Sequence, residues 1–169
     1  LRVTDIFFAF PALVLALVIL AVAGPSGRTL TTLSFAVLVI WWPLYVRLTR
    51  SQILSEKEKM YVEALRSVGA GRIRILFRHI LPNSIYPVLV QATLDIGGVI
   101  LTFSALMYLG FTPNGLLPEL GQLTTDGINN MNSAPWLLIF PGLVILIVAL
   151  GWNLLGDGIR DVLDPRLRR

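Results

Sequence analysis

Cysteine is absent, histidine occurs once, and charged residues make up only 14% of the 169 positions. Without cysteine there is no disulfide, no thiol nucleophile and no thiolate-bound metal. His79 alone leaves little with which to build a metal site or a histidine-dependent triad. Soluble globular domains carry about 25% charged residues, so this shortfall argues against a water-soluble fold. No acidic, aromatic-poor or low-complexity tract points to disorder. The formal net charge is +4 and the isoelectric point about 10.0. That excess raises the question of nucleic acid, which only the positions of the basic residues can answer.

What the chain does have is long apolar runs, with 55% hydrophobic residues and a mean hydropathy of +0.75. Four stretches are nearly free of charge: about 6–24, 31–49, 84–110 and 135–155. A helix crossing a bilayer needs about 20 apolar residues, and each stretch approaches or exceeds that. None shows the polar face expected of a helix in a soluble bundle. The composition therefore predicts an all-α, polytopic membrane bundle forming a single domain. Every stretch contains a proline: Pro11, Pro43, Pro87 and Pro141. Proline removes one backbone hydrogen bond and kinks a helix, which membrane bundles tolerate when neighbours satisfy the freed groups. Such bends serve ordinary packing, or they line a path that opens and closes.

The basic residues set the orientation. Arg47, Arg50, Lys57, Lys59, Arg66, Arg72, Arg74 and Arg78 fall in or beside the connection 50–83. Arg2 precedes the first stretch, and Arg160, Arg166, Arg168 and Arg169 follow the last. The first connection has only Arg28, and residues 111–134 have no basic residue. The excess of Lys and Arg on cytoplasmic loops puts both ends and residues 50–83 inside. The positive charge is thereby a topology signal and needs no nucleic-acid partner. Trp136, Trp152 and Tyr45 sit near span ends, as interfacial anchors do. The chain starts at Leu1 with no signal-peptide cleavage pattern, and is read as a fragment whose natural N-terminus is missing.

The connection 50–83 is too charged to cross and too patterned to be a loose linker. Ser55 followed by Glu58 fits a capping box that starts a helix. Tyr61, Ala64, Leu65 and Val68 then share one face. Gly69 and Gly71 suit a left-handed stop. A second short helix is expected over 72–80, with Ile73, Leu76, Phe77 and Ile80 apolar, ended by Pro82. This helix-turn-helix knob must lay its apolar stripe on lipid headgroups, on the spans or on another protein. Within the third stretch, Gln91 and Asp95 are four apart and share a face. A carboxylate at that depth is costly in lipid. It therefore lines a path or bonds a neighbouring helix. The acidic residues Glu119 and Asp126 fall on the outer connection, which could meet a binding protein or cap the path. Asp157, Arg160, Asp161 and Asp164 form a charged helix end.

Glu63-Ala64-Leu65, then Gly69, then Leu81-Pro82 resembles the EAA loop of ATP-binding-cassette importer permeases, of form E-A-A, three residues, G, nine residues, I, one residue, L-P. Leu65 stands for the third small residue and His79 for the isoleucine. Residues 78–83 (RHILPN) resemble the dipeptide/oligopeptide/nickel branch, as do 5–13 (DIFFAFPAL), 91–101 (QATLDIGGVIL), 133–142 (SAPWLLIFPG) and 153–168 (NLLGDGIRDVLDPRLR). The tail is most similar to the C-type second permease subunit. The resemblance implies an importer-type permease fold of about six spans, with the first one or two outside this chain. It implies a prokaryotic plasma membrane, a second permease subunit, two cytoplasmic ATPases that use ATP, and an extracytoplasmic substrate-binding protein. It implies no cofactor, metal or catalytic residue in this chain. Tyr61, Glu63, Ala64, Leu65, Gly69, Ala70, His79, Leu81 and Pro82 would couple to an ATPase, with Glu63 meeting a basic residue there. Gln91 and Asp95 would lie on the translocation path. Peptides are the expected cargo, with nickel complexes or oligosaccharides as alternatives.

Two other classes compete. An intramembrane protease could use Ser26 of Gly24-Pro25-Ser26-Gly27 with His79, but the predicted topology separates them by a bilayer core of about 30 Å. An aspartyl pair of Asp95 with Asp157 would need adjacency, and Asp157 is expected well below Asp95. A channel or ion-driven carrier would work without ATP. The chain has no G-x-x-x-x-G-K-[ST], so only the EAA-like loop favours an external motor.

Overall fold

A computed structural model describes residues 2–113 and 119–163. Asp164, Arg166, Arg168 and Arg169 lie outside the described residues. Within them the chain is helical throughout, without strands: α1 (Arg2–Phe8), α2 (Ala12–Ala23), α3 (Leu30–Lys57), α4 (Met60–Ser67), α5 (Arg72–Ile75), α6 (Leu81–Tyr108), α7 (Leu120–Asn129) and α8 (Trp136–Leu163). A 3-10 turn, Pro25–Gly27, joins α2 to α3, and a π-helical turn, Leu76–Ile80, joins α5 to α6.

Among the described residues three helices are long and apolar enough to cross a membrane, Leu30–Lys57, Arg72–Tyr108 and Trp136–Asp161, and the bent pair α1–α2 makes a fourth if it is one span. The expected first span is not one straight helix. Its two pieces, α1 and α2, meet at 90°. Pro11 is the cause. It has extended backbone angles, φ −58° and ψ 126°, it has no N–H to donate, and its ring disfavours helix in the residue before it. The other three prolines, Pro43, Pro87 and Pro141, stay inside continuous helices.

The α1–α2 pair is nevertheless fitted along α3. Phe7 meets Trp42 edge-on at 5.2 Å, Arg47 stacks on Phe8 at 4.0 Å, and Arg47 Nη2 donates to Asp5 Oδ1 at 2.7 Å. Higher up, Ala16 and Leu20 of α2, Leu33, Ala36 and Val37 of α3, and Leu106 and Met107 of α6 form the main buried cluster. At that end Arg28 donates to the Gly110 carbonyl at 3.0 Å and lies over Phe111. The one basic residue expected outside thus fastens two connections together.

Residues 111–134 were expected as a plain connection, yet α7 lies within them. Leu120, Leu123 and Ile128 carry a helical spacing that the density of Gly, Pro and Asn obscured. Thr125 Oγ1 donates to the Tyr108 carbonyl at 2.8 Å and ties α7 to the end of α6.

The α6–α8 crossing is close because glycine occupies it. A Cβ on Gly156 would stand 2.9 Å from Leu94 Cδ2 and 3.0 Å from Leu94 Cα, and one on Gly97 would stand 2.9 Å from the Ala149 carbonyl. This crossing corrects the expected depth of Asp157. Gly156 abuts Leu94, so Asp157 lies near the level of Asp95 rather than well below it. What separates the two carboxylates is direction: Asp157 is exposed, whereas both Asp95 oxygens face other partners.

Gly156→Val should force α6 and α8 apart and cost about 1–3 kcal/mol, the usual range for overpacking. Gly151→Ala, where the Cβ position is open, should not lower the melting temperature. Thermal denaturation of the detergent-solubilised protein checks both.

Candidate functional site

The region around α4 is built from an unexpected corner. The predicted capping box at Ser55 and Glu58 does not form. Ser55 lies inside α3, Glu58 is that helix's C-cap, and α4 starts at Met60 after Lys59. Ser, Glu and Lys at 55–57 are compatible with helix, so α3 runs on past the expected span end at 49 and enters the connection. The turn is then closed by Glu58 N–H to the Ser55 carbonyl and Lys59 N–H to the Glu56 carbonyl, both at 3.3 Å.

Glu56 holds this corner. It is 8% exposed, and its carboxylate accepts from Lys59 Nζ and, at 2.9 Å, from the Tyr61 hydroxyl. A buried carboxylate stays charged only when it is paired and hydrogen-bonded. The pair of bonds therefore fixes the angle between α3 and α4. Burial pushes the Tyr61 phenol above its ordinary range; the Asn83 amide opposes this and the Glu56 carboxylate adds to it. Tyr61 therefore stays protonated as the donor. Glu56 falls off the apolar face formed by Tyr61, Ala64, Leu65 and Val68, so spacing alone does not mark it as buried. The available signal was the three-residue spacing to Lys59, with Tyr61 next in reach.

The buried face of the knob is also displaced from the one expected. Val62, Ile75 and Ile80 form its core, with Ile53, Tyr61, Leu65, Ala70 and Leu76 packed on them. Ala64 is exposed and Val68 is 80% exposed. In the second short helix Ile73 and Phe77 turn outward as well. The α4 axis is rotated so that Val62 rather than Ala64 meets the body, because Tyr61 is drawn toward Glu56. The outer face of the knob therefore presents Met60, Glu63, Ala64 and Val68.

Gly69 ends α4 as predicted. Its φ is +79°. Gly69 N–H donates to the Arg66 carbonyl at 2.9 Å and Ala70 N–H to the Leu65 carbonyl at 3.0 Å. This is a left-handed helix stop. Gly71 is the N-cap of α5, with φ −66°, and does not share that role.

Pro82 does not end the second helix. The chain runs from α5 through the π turn into α6, with Pro82 in its first turn. Leu81 N–H reaches back five residues to the Leu76 carbonyl. This wider turn relieves the clash a proline ring makes with the carbonyl four residues back. Asn83 Nδ2 donates to the His79 carbonyl at 2.9 Å. His79 and Leu81 are half-buried in this joint. The run His79-Ile80-Leu81-Pro82-Asn83 is thus the structural joint between knob and span.

Within the bundle, Gln91 Nε2 donates to Asp95 Oδ1 and Tyr45 Oη to Asp95 Oδ2, each at 2.8 Å. Gln91 and Asp95 share a face as predicted. Tyr45, expected as a headgroup anchor, instead bonds α3 to α6. Both carboxylate oxygens are engaged, and Tyr45 stands between Asp95 and the open trough beside α3. Ser26 and His79 lie at opposite ends of α3, in the 3-10 turn before it and in the π turn beyond it. Among the described residues no group of three or more His, Asp or Glu is placed to hold a metal.

The family model described as "binding-protein-dependent transport system inner membrane component" matches residues 1–169. The dipeptide transport system permease protein DppC of Escherichia coli (strain K12) is 45% identical over 170 residues, covering 100% of this chain and 55% of its own length. The protein of the same name from Alkalihalophilus pseudofirmus is 42% identical over 167 residues, 99% of this chain and 54% of its own. The glutathione transport system permease protein GsiD of Pectobacterium atrosepticum is 40% identical over 168 residues, 99% of this chain and 55% of its own. The chain therefore spans about half the length of the curated relatives it matches.

A double-mutant cycle of Tyr45→Phe and Asp95→Asn should give a coupling energy of about 1 kcal/mol, as for hydrogen bonds between membrane helices. Unfolding equilibria in mixed micelles measure it. Gly69→Ala has room for its Cβ but must hold a positive φ, and should cost about 1–2 kcal/mol with locally faster hydrogen exchange in α4.

Proposed function

The chain belongs to the family of binding-protein-dependent transport system inner membrane components, and from that membership we propose that it is a permease subunit of an ATP-binding-cassette importer that admits peptides. It would form part of the path with a second permease subunit. Two ATPases would supply work from the cytoplasm, and an extracytoplasmic binding protein would deliver the cargo. The multi-pass membrane character rests on its apolar helices and on the family. The cytoplasmic placement of both ends and of residues 50–83 rests on the distribution of Lys and Arg. Peptide as cargo is supported by the names of the relatives, two dipeptide permeases and a glutathione permease.

One observation carries the coupling role: a short helix held at a fixed angle by a buried carboxylate, with its outer face uncovered. Transmission of a subunit's movement needs a stiff lever rather than a loose loop. Glu56, Lys59 and Tyr61 fix one end of α4, and the Gly69 stop with Ala70 and Leu65 fixes the other. Glu63 and Ala64 lie on the free face, where Glu63 would meet a basic group of an ATPase and Ala64 would permit close approach. His79, Leu81 and Pro82 would pass the displacement through the π turn to α6. Gln91 and Asp95 would act on the path through Tyr45, which lies between them and the trough.

In the assembled importer, Glu63→Ala and Gly69→Pro should lower peptide uptake and substrate-stimulated ATP hydrolysis together by tenfold or more, about 1.4 kcal/mol of coupling, with the subunits still co-purifying. Uptake at the normal rate after residues 60–71 have been scrambled would refute the coupling role.

A further inference from the structure

A trough of about 850 Å³ runs along one side of α3. Its wall is apolar and aromatic, with Leu38, Trp41, Trp42, Val46, Ile53 and Leu54, and two cations line it toward the C-terminal end of α3, Lys57 at that end and Arg50 two turns before it. Beyond them a cleft of about 640 Å³ opens between α4 and the second short helix, and Lys57 lines it as well, with Arg66 and Arg72. Lys57 thus lines both spaces. No carboxylate lines either space. Among the described residues the ion pairs involve Arg47 and Lys59, and none uses Arg50, Lys57, Arg66 or Arg72.

The dimensions are those of a lipid. Leu38 to Arg50 is twelve residues, about 18 Å of helix rise, close to one leaflet of a hydrocarbon core about 30 Å thick, and the seven residues on to Lys57 add about 10 Å for a headgroup. The aromatic wall gives way to cations at the end of α3 that the Lys and Arg distribution places on the cytoplasmic side, where anionic lipids concentrate. Lys57, Arg66 and Arg72 line the half-enclosed cleft and Arg50 lines the adjoining trough; with no carboxylate in either lining, these unpaired cations call for an anion. A helix from another protein would have to bring its own carboxylates to that point. A lipid phosphate arrives already attached to a chain that fits the trough.

We propose that the α3 trough and the adjoining cleft bind one anionic phospholipid, its acyl chain along Trp41 and Trp42 and its phosphate among Arg50, Lys57, Arg66 and Arg72. The proposal takes its cytoplasmic side and its assembly from the transport reading, yet the two fail separately: lipid retention can be lost while transport partners stay bound, and the reverse.

The test uses the full importer complex in nanodiscs of mixed phosphatidylglycerol and phosphatidylcholine. Retained lipid is counted by native mass spectrometry after transfer to detergent. Wild-type complex should retain phosphatidylglycerol above its bulk share. Arg50→Gln with Lys57→Gln should lower that retention at least about fivefold, since each cation near the surface contributes on the order of a fivefold factor, and leave phosphatidylcholine retention unchanged. A photo-crosslinker at Ile53 should label phospholipid. Equal retention of both lipids by the wild type overturns the proposal, and this holds even if the double variant fails to assemble. Unchanged retention in an assembled variant, or crosslinks from Ile53 to another polypeptide, overturns it too.

Discussion

A peptide group left without a hydrogen-bond partner in hydrocarbon costs several kcal/mol, and the placement of proline decides where this chain can meet that demand. Pro43, Pro87 and Pro141 are absorbed inside long helices. Pro11 is not, and there the helix breaks and turns through a right angle. Pro82 takes a third course, seated directly after a widened turn whose i to i+5 bond and Asn83 amide reassign the nearby carbonyls. One residue type thus sits within a continuous helix, makes a corner or seats a joint, according to what surrounds it.

Among the described residues, three polar contacts tie elements together at separate levels of the bundle. Asp95 is clasped by Gln91 on its own helix and Tyr45 on the next. Glu56 is clasped by Lys59 and Tyr61 where the bundle meets the knob. Arg28 fastens the opposite end of the bundle through the Gly110 carbonyl. The apolar surfaces pack without direction. These three contacts select one arrangement among the many that greasy helices could adopt.

The long helices were legible because hydropathy over about 20 residues is a strong signal. Gly69 was legible because a left-handed stop needs glycine. The Gln91–Asp95 face was legible from helical spacing alone. The first span's corner was not, because a proline in an apolar run reads the same whether the helix bends or breaks. The start of α4 was misplaced because Ser55 can cap a helix or lie within one, and the Glu56 corner decided the outcome. The face of α4 was misjudged for the same reason: spacing fixes which residues share a side, and only the tie to Glu56 sets which side turns inward. Tyr45 was read as an anchor because its partner lies fifty residues away.

The five-residue turn at Leu76–Ile80 has a geometric corollary. An α-helix advances about 100° per residue, and a π turn accommodates roughly one residue more per revolution. Everything before Leu76 is therefore rotated by about a third of a circle from where an unbroken helix would put it. A single deletion within that turn would straighten the junction and swing the whole knob around the span. The length of this short stretch works as an angular setting, fixing which side of the molecule the knob faces.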